Sequence, residues 1–135
     1  MTIPYHIYRV LVAEDNYINQ KLIKKLLLKK GYNTLIVEDG KKVVDILQNQ
    51  RYDVILMDIQ MPVMDGYQAT AWIREREKLT GDHIPIIGIT AFAMESDRQK
   101  CFAIGMDDYL SKPFHKDDFY DVIEKHLIIS STTSH

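Results

Sequence analysis

A run of four apolar residues, Val54-Ile55-Leu56-Met57, passes directly into a single aspartate, Asp58, and Pro62 follows four positions later. An uninterrupted apolar run of this length, closed by turn-forming residues, is typical of a strand buried on both faces of a parallel sheet. Asp58 would then lie at the carboxyl end of that strand, where open α/β sheets place their ligand sites. The stretch therefore predicts a parallel sheet covered on both sides, with a reactive carboxylate at one edge.

Four other short apolar runs also have the character of strands, and segments with apolar residues at helical spacing lie between and after them. The predicted strands cover 10–13, 34–37, 54–57, 86–89 and 108–110. The predicted helices cover 17–30, a segment through 43–47 that ends near 50, a segment from the cap at 65 to about 78, then 94–104 and a last one through 119–127. This alternation favours one domain in which helices cover both faces of a parallel sheet.

Length and composition restrict the class of protein. The chain has 135 residues, the usual size of one domain, and its formal net charge of −2 gives no support for a nucleic-acid or membrane-surface role. One cysteine, Cys101, excludes an internal disulfide and is expected to be a half-buried helix residue. The amino terminus lacks the apolar core of a signal peptide, and no run reaches about 18 apolar residues, so we expect a cytoplasmic protein. The polar residues 130–135 are expected to form a flexible tail.

Polar groups follow four of the predicted strands. Glu14 and Asp15 follow the first, Asp58 the third, Thr90 the fourth and Lys112 the fifth. Taken singly, an aspartate or threonine at a strand end usually caps a helix or satisfies loop amides. Because the carboxyl ends of parallel strands meet at one edge, we expect all five groups to converge there.

These residues resemble the receiver domains of two-component response regulators over roughly residues 8–129. The matching motifs are Glu14-Asp15-Asn16, the run from Met57 to Gly66, Thr90-Ala91 and Lys112-Pro113. The segments 14–20 and 105–113 are most similar to receivers of hybrid sensor histidine kinases. The resemblance implies a single receiver domain over 1–135, with a flavodoxin-like three-layer α/β sandwich. Its five parallel strands would have the order 2-1-3-4-5, with five helices.

The implied strand order makes the geometry of the polar groups predictable. The acidic pair Glu14-Asp15 and the hydroxyl of Thr90 would each lie one strand, about 4.8 Å, from Asp58 on opposite sides. Lys112 would start two strands away, about 10 Å, so that only a long side chain could reach Asp58. Three carboxylates within about 5 Å repel one another by about 3 kcal/mol per pair at an effective dielectric constant of about 20. A cation is therefore required beside them.

Lys112 supplies one positive charge, and a hard divalent cation with oxygen ligands suits the remainder. The resemblance implies Mg²⁺, held by Asp15, Asp58 and the backbone carbonyl of Gln60, with Glu14 acting largely through water. Soft-metal ligands are missing from the motifs, because the five histidines are scattered and expected at the surface.

The resemblance further implies that Asp58 accepts a phosphoryl group from a phosphohistidine and later loses it slowly to water. The chain would be a signalling phosphoacceptor and not a turnover enzyme, and a sensor histidine kinase or histidine phosphotransfer protein would be the donor. Lys112 would stabilise the phosphoryl oxygens, and Thr90 would donate a hydrogen bond. Thr90 would then move toward the phosphoryl group and Tyr109 would turn inward, which would alter the face of helix 4, strand 5 and helix 5 for a downstream protein. A cis Lys112-Pro113 peptide is also implied.

Gln60 and Phe92 lie two residues after Asp58 and Thr90, at positions similar to those that tune phosphate lifetime in the family. Phe92 is bulkier and less polar than the asparagine often found there in hybrid-kinase receivers, so we expect it to hinder attacking water.

Three alternative assignments make different demands on the sequence. A hydrolase of the haloacid dehalogenase type would need Asp-x-Asp after its first strand, whereas Asp58 follows the third and is followed at +2 by Gln60. A flavin-binding flavodoxin would need a phosphate-cradling loop after strand one, where Glu14-Asp15 would repel phosphate. A receiver-like docking module that is never phosphorylated stays open. So does the choice between a stand-alone regulator and a receiver excised from a hybrid kinase.

Overall fold

The computed structural model describes residues 7–91 and 94–132, with side chains described through residue 127. Its strands are β1 Arg9–Ala13, β2 Asn33–Val37, β3 Val54–Asp58, β4 Ile86–Thr90 and β5 Asp108–Ser111. Its helices are α1 Tyr17–Lys29, α2 Gly40–Leu47, α3 Gly66–Thr80, α4 Glu95–Ile104 and α5 Lys116–Thr132. The strands are parallel and form one sheet in the order β2-β1-β3-β4-β5, which confirms the predicted fold and strand order.

The predicted elements differ from the observed ones mainly at their ends. α2 stops at Leu47, because the amide groups of Asn49 and Gln50 both turn back to the carbonyl of Ile46 and close a tight last turn. α3 continues to Thr80 and is capped by Gly81 in the left-handed conformation. α5 runs to Thr132, so the first three residues of the predicted tail are helical, while 133–135 lie outside the described residues.

The two faces of the sheet carry separate apolar layers. Alternation along β3 sends Val54 and Leu56 toward α1 and α5, and it sends Ile55 and Met57 toward α2, α3 and α4. All five residues of β3 are buried, as the opening apolar run predicted. The two layers leave the carboxyl edge of the sheet as the place where polar groups can collect.

The helix caps decide which polar groups remain available at that edge. Asn16 caps α1 by accepting a hydrogen bond of 3.0 Å from the amide of Asn19, so the carboxylate of Asp15 is not used as the cap. Asp65 and Gln68 form a reciprocal capping box at the start of α3. A side chain on Gly66 would overlap the carbonyl oxygen of Asp58, so the β3–α3 loop can fold against the strand end only with glycine there.

Candidate functional site

Three carboxylates meet at the carboxyl edge, as predicted. Glu14 and Asp15 follow β1, and Asp58 ends β3; each offers an oxygen atom within 4.8 Å of the others. Glu14 is 1% exposed and Asp58 is 6% exposed, whereas Asp15 is open to solvent. Parallel pairing of β1 with β3 brings the two strand ends together, since Ala13 lies opposite Met57.

Lys112 reaches this acidic group from two strands away. Its Nζ atom lies 2.8 Å from Glu14 Oε1 and 3.2 Å from Asp58 Oδ2. The amide of Lys112 donates to the carbonyl of Thr90 at 2.7 Å, and the Lys112-Pro113 peptide is cis, as predicted. The expectation that a long side chain spans this gap is confirmed.

The buried carboxylates of Glu14 and Asp58 share Lys112 as their one close cation among the described residues. Burial and the adjacent Glu14 raise the pKa of Asp58 to about 7, although Lys112 and the amide of Gln60 oppose that shift. Burial also acts to raise the pKa of Glu14, but its contacts with Asp58 and Lys112 outweigh burial and lower it. Burial would lower the pKa of Lys112, yet the two carboxylates raise it. One lysine therefore does not neutralise this cluster.

A hard divalent cation fits this arrangement. Glu14 Oε2 is buried and has no hydrogen-bond partner among the described residues, which is costly for a carboxylate oxygen. The three carboxylates supply only oxygen atoms, the donors that Mg²⁺ and Ca²⁺ prefer. Gln60 follows Asp58 by two residues and lines the same cleft.

Thr90 and Tyr109 lie on the other side of Asp58. Thr90 ends β4 and is buried, and it lines the cleft together with Asp15 and Gln60. Tyr109 lies on the neighbouring strand, opposite Gly88, where it is half-buried and its hydroxyl accepts a hydrogen bond of 3.2 Å from Ser111. The sheet thus brings together all five predicted strand-end groups, and Tyr109 lies one strand further out. Phe92 lies outside the described residues.

The cleft has a second wall that the sequence did not indicate. Its volume is about 690 Å³, and besides Asp15 and Thr90 it is lined by Tyr67 at the start of α3 and by Asp97 and Lys100 on α4. The Nζ atom of Lys100 lies 4.5 Å from the centroid of the Tyr67 ring. Burial and the neighbouring thiol of Cys101 raise the pKa of Tyr67 to about 12. Sequence periodicity places Lys100 beside the buried face of α4, but it does not show that this face borders the cleft.

Two predictions about titratable side chains need correction. His126 is 8% exposed and not a surface residue, because it lies seven positions after Phe119 on the buried stripe of α5. Its Nε2 atom lies 2.9 Å from Asp108 Oδ2. Cys101 is fully buried and not half-buried, because α4 packs it into the same apolar layer as Ile86 and Met106.

The other histidines agree with expectation where they are described. His83 and His115 are exposed. His6 and His135 lie outside the described residues.

Comparison with known proteins decides the family. A family model described as the response regulator receiver domain matches residues 10–124. The chain belongs to the response regulator receiver domain family. This membership argues against the haloacid dehalogenase and flavodoxin alternatives, and it makes the chain a receiver of two-component or phosphorelay systems.

Individual relatives agree. The receiver is 48% identical over 124 residues to Hybrid signal transduction histidine kinase I of Dictyostelium discoideum; the match covers 88% of this chain but 7% of that protein. The receiver domain of sensor histidine kinase PA1611 from Pseudomonas aeruginosa, solved with a magnesium ion in its active-site cleft, is 41% identical with a TM-score of 0.82, over 90% of this chain and 98% of that one.

A third comparison concerns a complex. The receiver domain of the Saccharomyces cerevisiae response regulator Ssk1, crystallised with the histidine phosphotransfer protein Ypd1, is 30% identical with a TM-score of 0.79, over 84% of each chain. Within the described part of this receiver, no helix is both long and apolar enough to cross a membrane.

Proposed function

We propose that this receiver accepts a phosphoryl group on the carboxylate of Asp58 from a phosphohistidine donor. The observation that carries the proposal is the contact of Lys112 Nζ with Asp58 Oδ2 inside a buried acidic cluster that opens to a cleft. An oxygen of Asp58 attacks phosphorus, the P–N bond of the phosphohistidine breaks, and its electron pair returns to the imidazole nitrogen. The product is an acyl phosphate, so the domain is a signalling phosphoacceptor and not a turnover enzyme.

Each side chain of the site has a distinct role in this proposal. Lys112 places one positive charge beside the oxygen that receives the phosphoryl group and stabilises charge on the transferred oxygens. Thr90 lines the cleft, and in this proposal it donates a hydrogen bond to a phosphoryl oxygen. Slow hydrolysis by water entering the same cleft returns Asp58 to its free form.

Mg²⁺ is the proposed cofactor, and it would be held by Asp15, Asp58 and the backbone carbonyl of Gln60, with Glu14 acting largely through water. Its chemistry is to neutralise charge on the phosphoryl oxygens during transfer. The orphaned Glu14 Oε2 supports this assignment, as does the magnesium ion in the cleft of the Pseudomonas receiver.

The proposed donor is a sensor histidine kinase or a histidine phosphotransfer protein, and the complex of the yeast receiver supports this class of partner. We propose Thr90 and Tyr109 as the switch that alters the face of α4, β5 and α5 for a downstream protein. The cytoplasmic location and the absence of nucleic-acid and membrane partners stay predictions.

The test is incubation with acetyl phosphate and Mg²⁺, followed by intact-mass measurement under conditions that preserve acyl phosphates. We expect the mass of one added phosphoryl group, absent from Asp58→Ala and absent without Mg²⁺. A mass increase that survives Asp58→Ala would contradict the proposed acceptor. No increase in the unsubstituted protein would favour the docking module that is never phosphorylated.

A further inference from the structure

Lys100 lies on the wall of the cleft formed by α3 and α4, and it has no role in the phosphotransfer proposed above. Lys100 is exposed and lines the cleft that also contains Asp15 and Thr90. Lys112, by comparison, is already bound to the two buried carboxylates Glu14 and Asp58. Lys100 has no carboxylate within 4.0 Å in the part of the chain that the structure describes, so no close ion pair neutralises its charge beside the cleft.

Tyr67 restrains this free cation. The ammonium of Lys100 lies 4.5 Å from the centroid of the Tyr67 ring, within the range of a cation–π contact. Tyr67 is itself held, because its half-buried side chain lies in the first turn of α3. The Lys100 side chain therefore favours positions against the cleft wall over fully solvated ones.

A cation at this place has two opposite electrostatic consequences. The cleft is acidic, since Asp15 and Asp97 also line it and Asp58 and Glu14 lie behind. An approaching phosphodonor with two negative charges is repelled by those carboxylates, and Lys100 offsets part of that repulsion. A divalent cation is attracted by the same carboxylates, and Lys100 reduces that attraction.

We propose that Lys100, restrained on the ring of Tyr67, is a specificity-determining residue that favours phosphodonors with two negative charges at the cleft and weakens its affinity for divalent cations. The inference rests on the proposed phosphoacceptor function of Asp58. Lys100 acts through its charge across an aqueous cleft, so its influence is moderate and depends on salt.

The decisive experiment measures two quantities in Lys100→Gln. The second-order rate constant for Asp58 phosphorylation by acetyl phosphate, a dianion at neutral pH, should fall about two- to fivefold at low salt and converge with the unsubstituted protein at high salt. Phosphoramidate, which carries less net negative charge, should show a smaller loss. The dissociation constant for Mg²⁺, measured by calorimetry, should fall about twofold, which means tighter binding.

Matched variants separate charge from structure. Lys100→Arg keeps the charge and should keep both values. Tyr67→Phe keeps the ring and should behave like the unsubstituted protein, whereas Tyr67→Leu should move both quantities partly toward Lys100→Gln. Lys29→Gln removes the same charge from the last turn of α1, at the opposite edge of the sheet, and should change neither quantity.

Damage to the fold would weaken both phosphorylation and Mg²⁺ binding, whereas the proposal requires them to move in opposite directions. Equal values for Lys100→Gln and Lys29→Gln would overturn the inference while leaving Asp58 as the acceptor. Absence of phosphorylation in the unsubstituted protein would overturn the proposed function itself and the inference with it.

Discussion

Two clusters of charged side chains lie at opposite edges of the same sheet, and they are built differently. At the amino edge, Arg74 contacts Asp107 and Glu77, each at 2.6 Å, and donates to the carbonyls of Ile84 and Gly105. At the carboxyl edge, three carboxylates share one lysine, and one buried oxygen has no partner among the described residues.

The difference separates a structural network from a site. The carboxylates of the amino edge are also satisfied by backbone amides, since Glu77 accepts from Ile84 and Asp107 accepts from Ile86. Such a network joins the end of α3 to the starts of β4 and β5, and its charges are paired without a ligand. At the carboxyl edge the three carboxylates repel one another, and only a bound cation or a proton reduces that repulsion. Charge left unbalanced inside an otherwise satisfied fold indicates function.

Breaking the amino-edge network should have the largest effect. Arg74→Ala leaves two mostly buried carboxylates and two carbonyls without their cation, so the free energy of unfolding should fall by about 3 kcal/mol. Urea denaturation measures it. Lys78→Ala, which removes an exposed pair with Glu75, is the control and should cost under about 1 kcal/mol. Equal losses in the two variants would show that the network adds no stability.

Replacing an aspartate by the isosteric asparagine should change stability in opposite directions at the two edges. Asp58→Asn removes one of the mutually repelling carboxylates and should stabilise the metal-free protein by about 1–3 kcal/mol. Asp107→Asn weakens the contact with Arg74 and should destabilise by about the same amount. Thermal or urea unfolding in the presence of a chelator measures both. Added Mg²⁺ should then stabilise the unsubstituted protein but not Asp58→Asn. A loss of stability in both variants would contradict the comparison.

The pH dependence should sharpen the same contrast. The pKa of Asp58 is raised from 3.8 to about 7 in the folded, metal-free protein, so the folded state binds more protons than the unfolded state between these values. The contribution of Asp58 to the free energy of unfolding is therefore fully present below about pH 4 and is lost as the pH rises through about 7. The stability difference between the unsubstituted protein and Asp58→Asn should widen over that interval, in favour of the variant. A constant difference from pH 4 to 8, measured by denaturation with a chelator, would show that Asp58 titrates normally.

The smallest expected effect concerns water at the carboxyl edge. Phe92→Asn should speed the decay of phosphorylated Asp58 by a few-fold, about 1 kcal/mol in the barrier, because a small polar side chain no longer hinders attacking water. Loss of the phosphoryl mass over time measures the rate, and Phe102→Asn on the exposed side of α4 is the control. An unchanged decay rate would refute this role for Phe92.

Much of the fold was predictable because its signals are local. Four consecutive apolar residues before Asp58 predicted a strand buried on both faces, and β3 is buried throughout. Strand order was a different matter, because the apolar runs do not specify which strands are neighbours. The order came from the resemblance to receivers, and the structure confirms it.

The candidate site divides in the same way. Glu14, Asp15, Asp58, Thr90 and Lys112 were found because each directly follows a strand, so that a parallel sheet must bring them to one edge. Asp15 could equally have been the helix cap, and only the structure shows that Asn16 takes that role. The burial of His126 did have a sequence signal, its spacing from Phe119 and Ile123 on α5, which the prediction of surface histidines overlooked.

By itself, the sequence determined the alternation of strands and helices and the reactive aspartate at a strand end, since both depend on residues close together in the chain. Only the tertiary structure decided which distant charges meet. Arg74 pairs with Asp107 across 33 positions, and Lys112 reaches Asp58 across 54. The position of Tyr67 and Lys100 beside the cleft likewise depends on how α3 and α4 pack on the sheet. Local periodicity sets the direction of each side chain from its own element, but the crossovers between elements set what it faces.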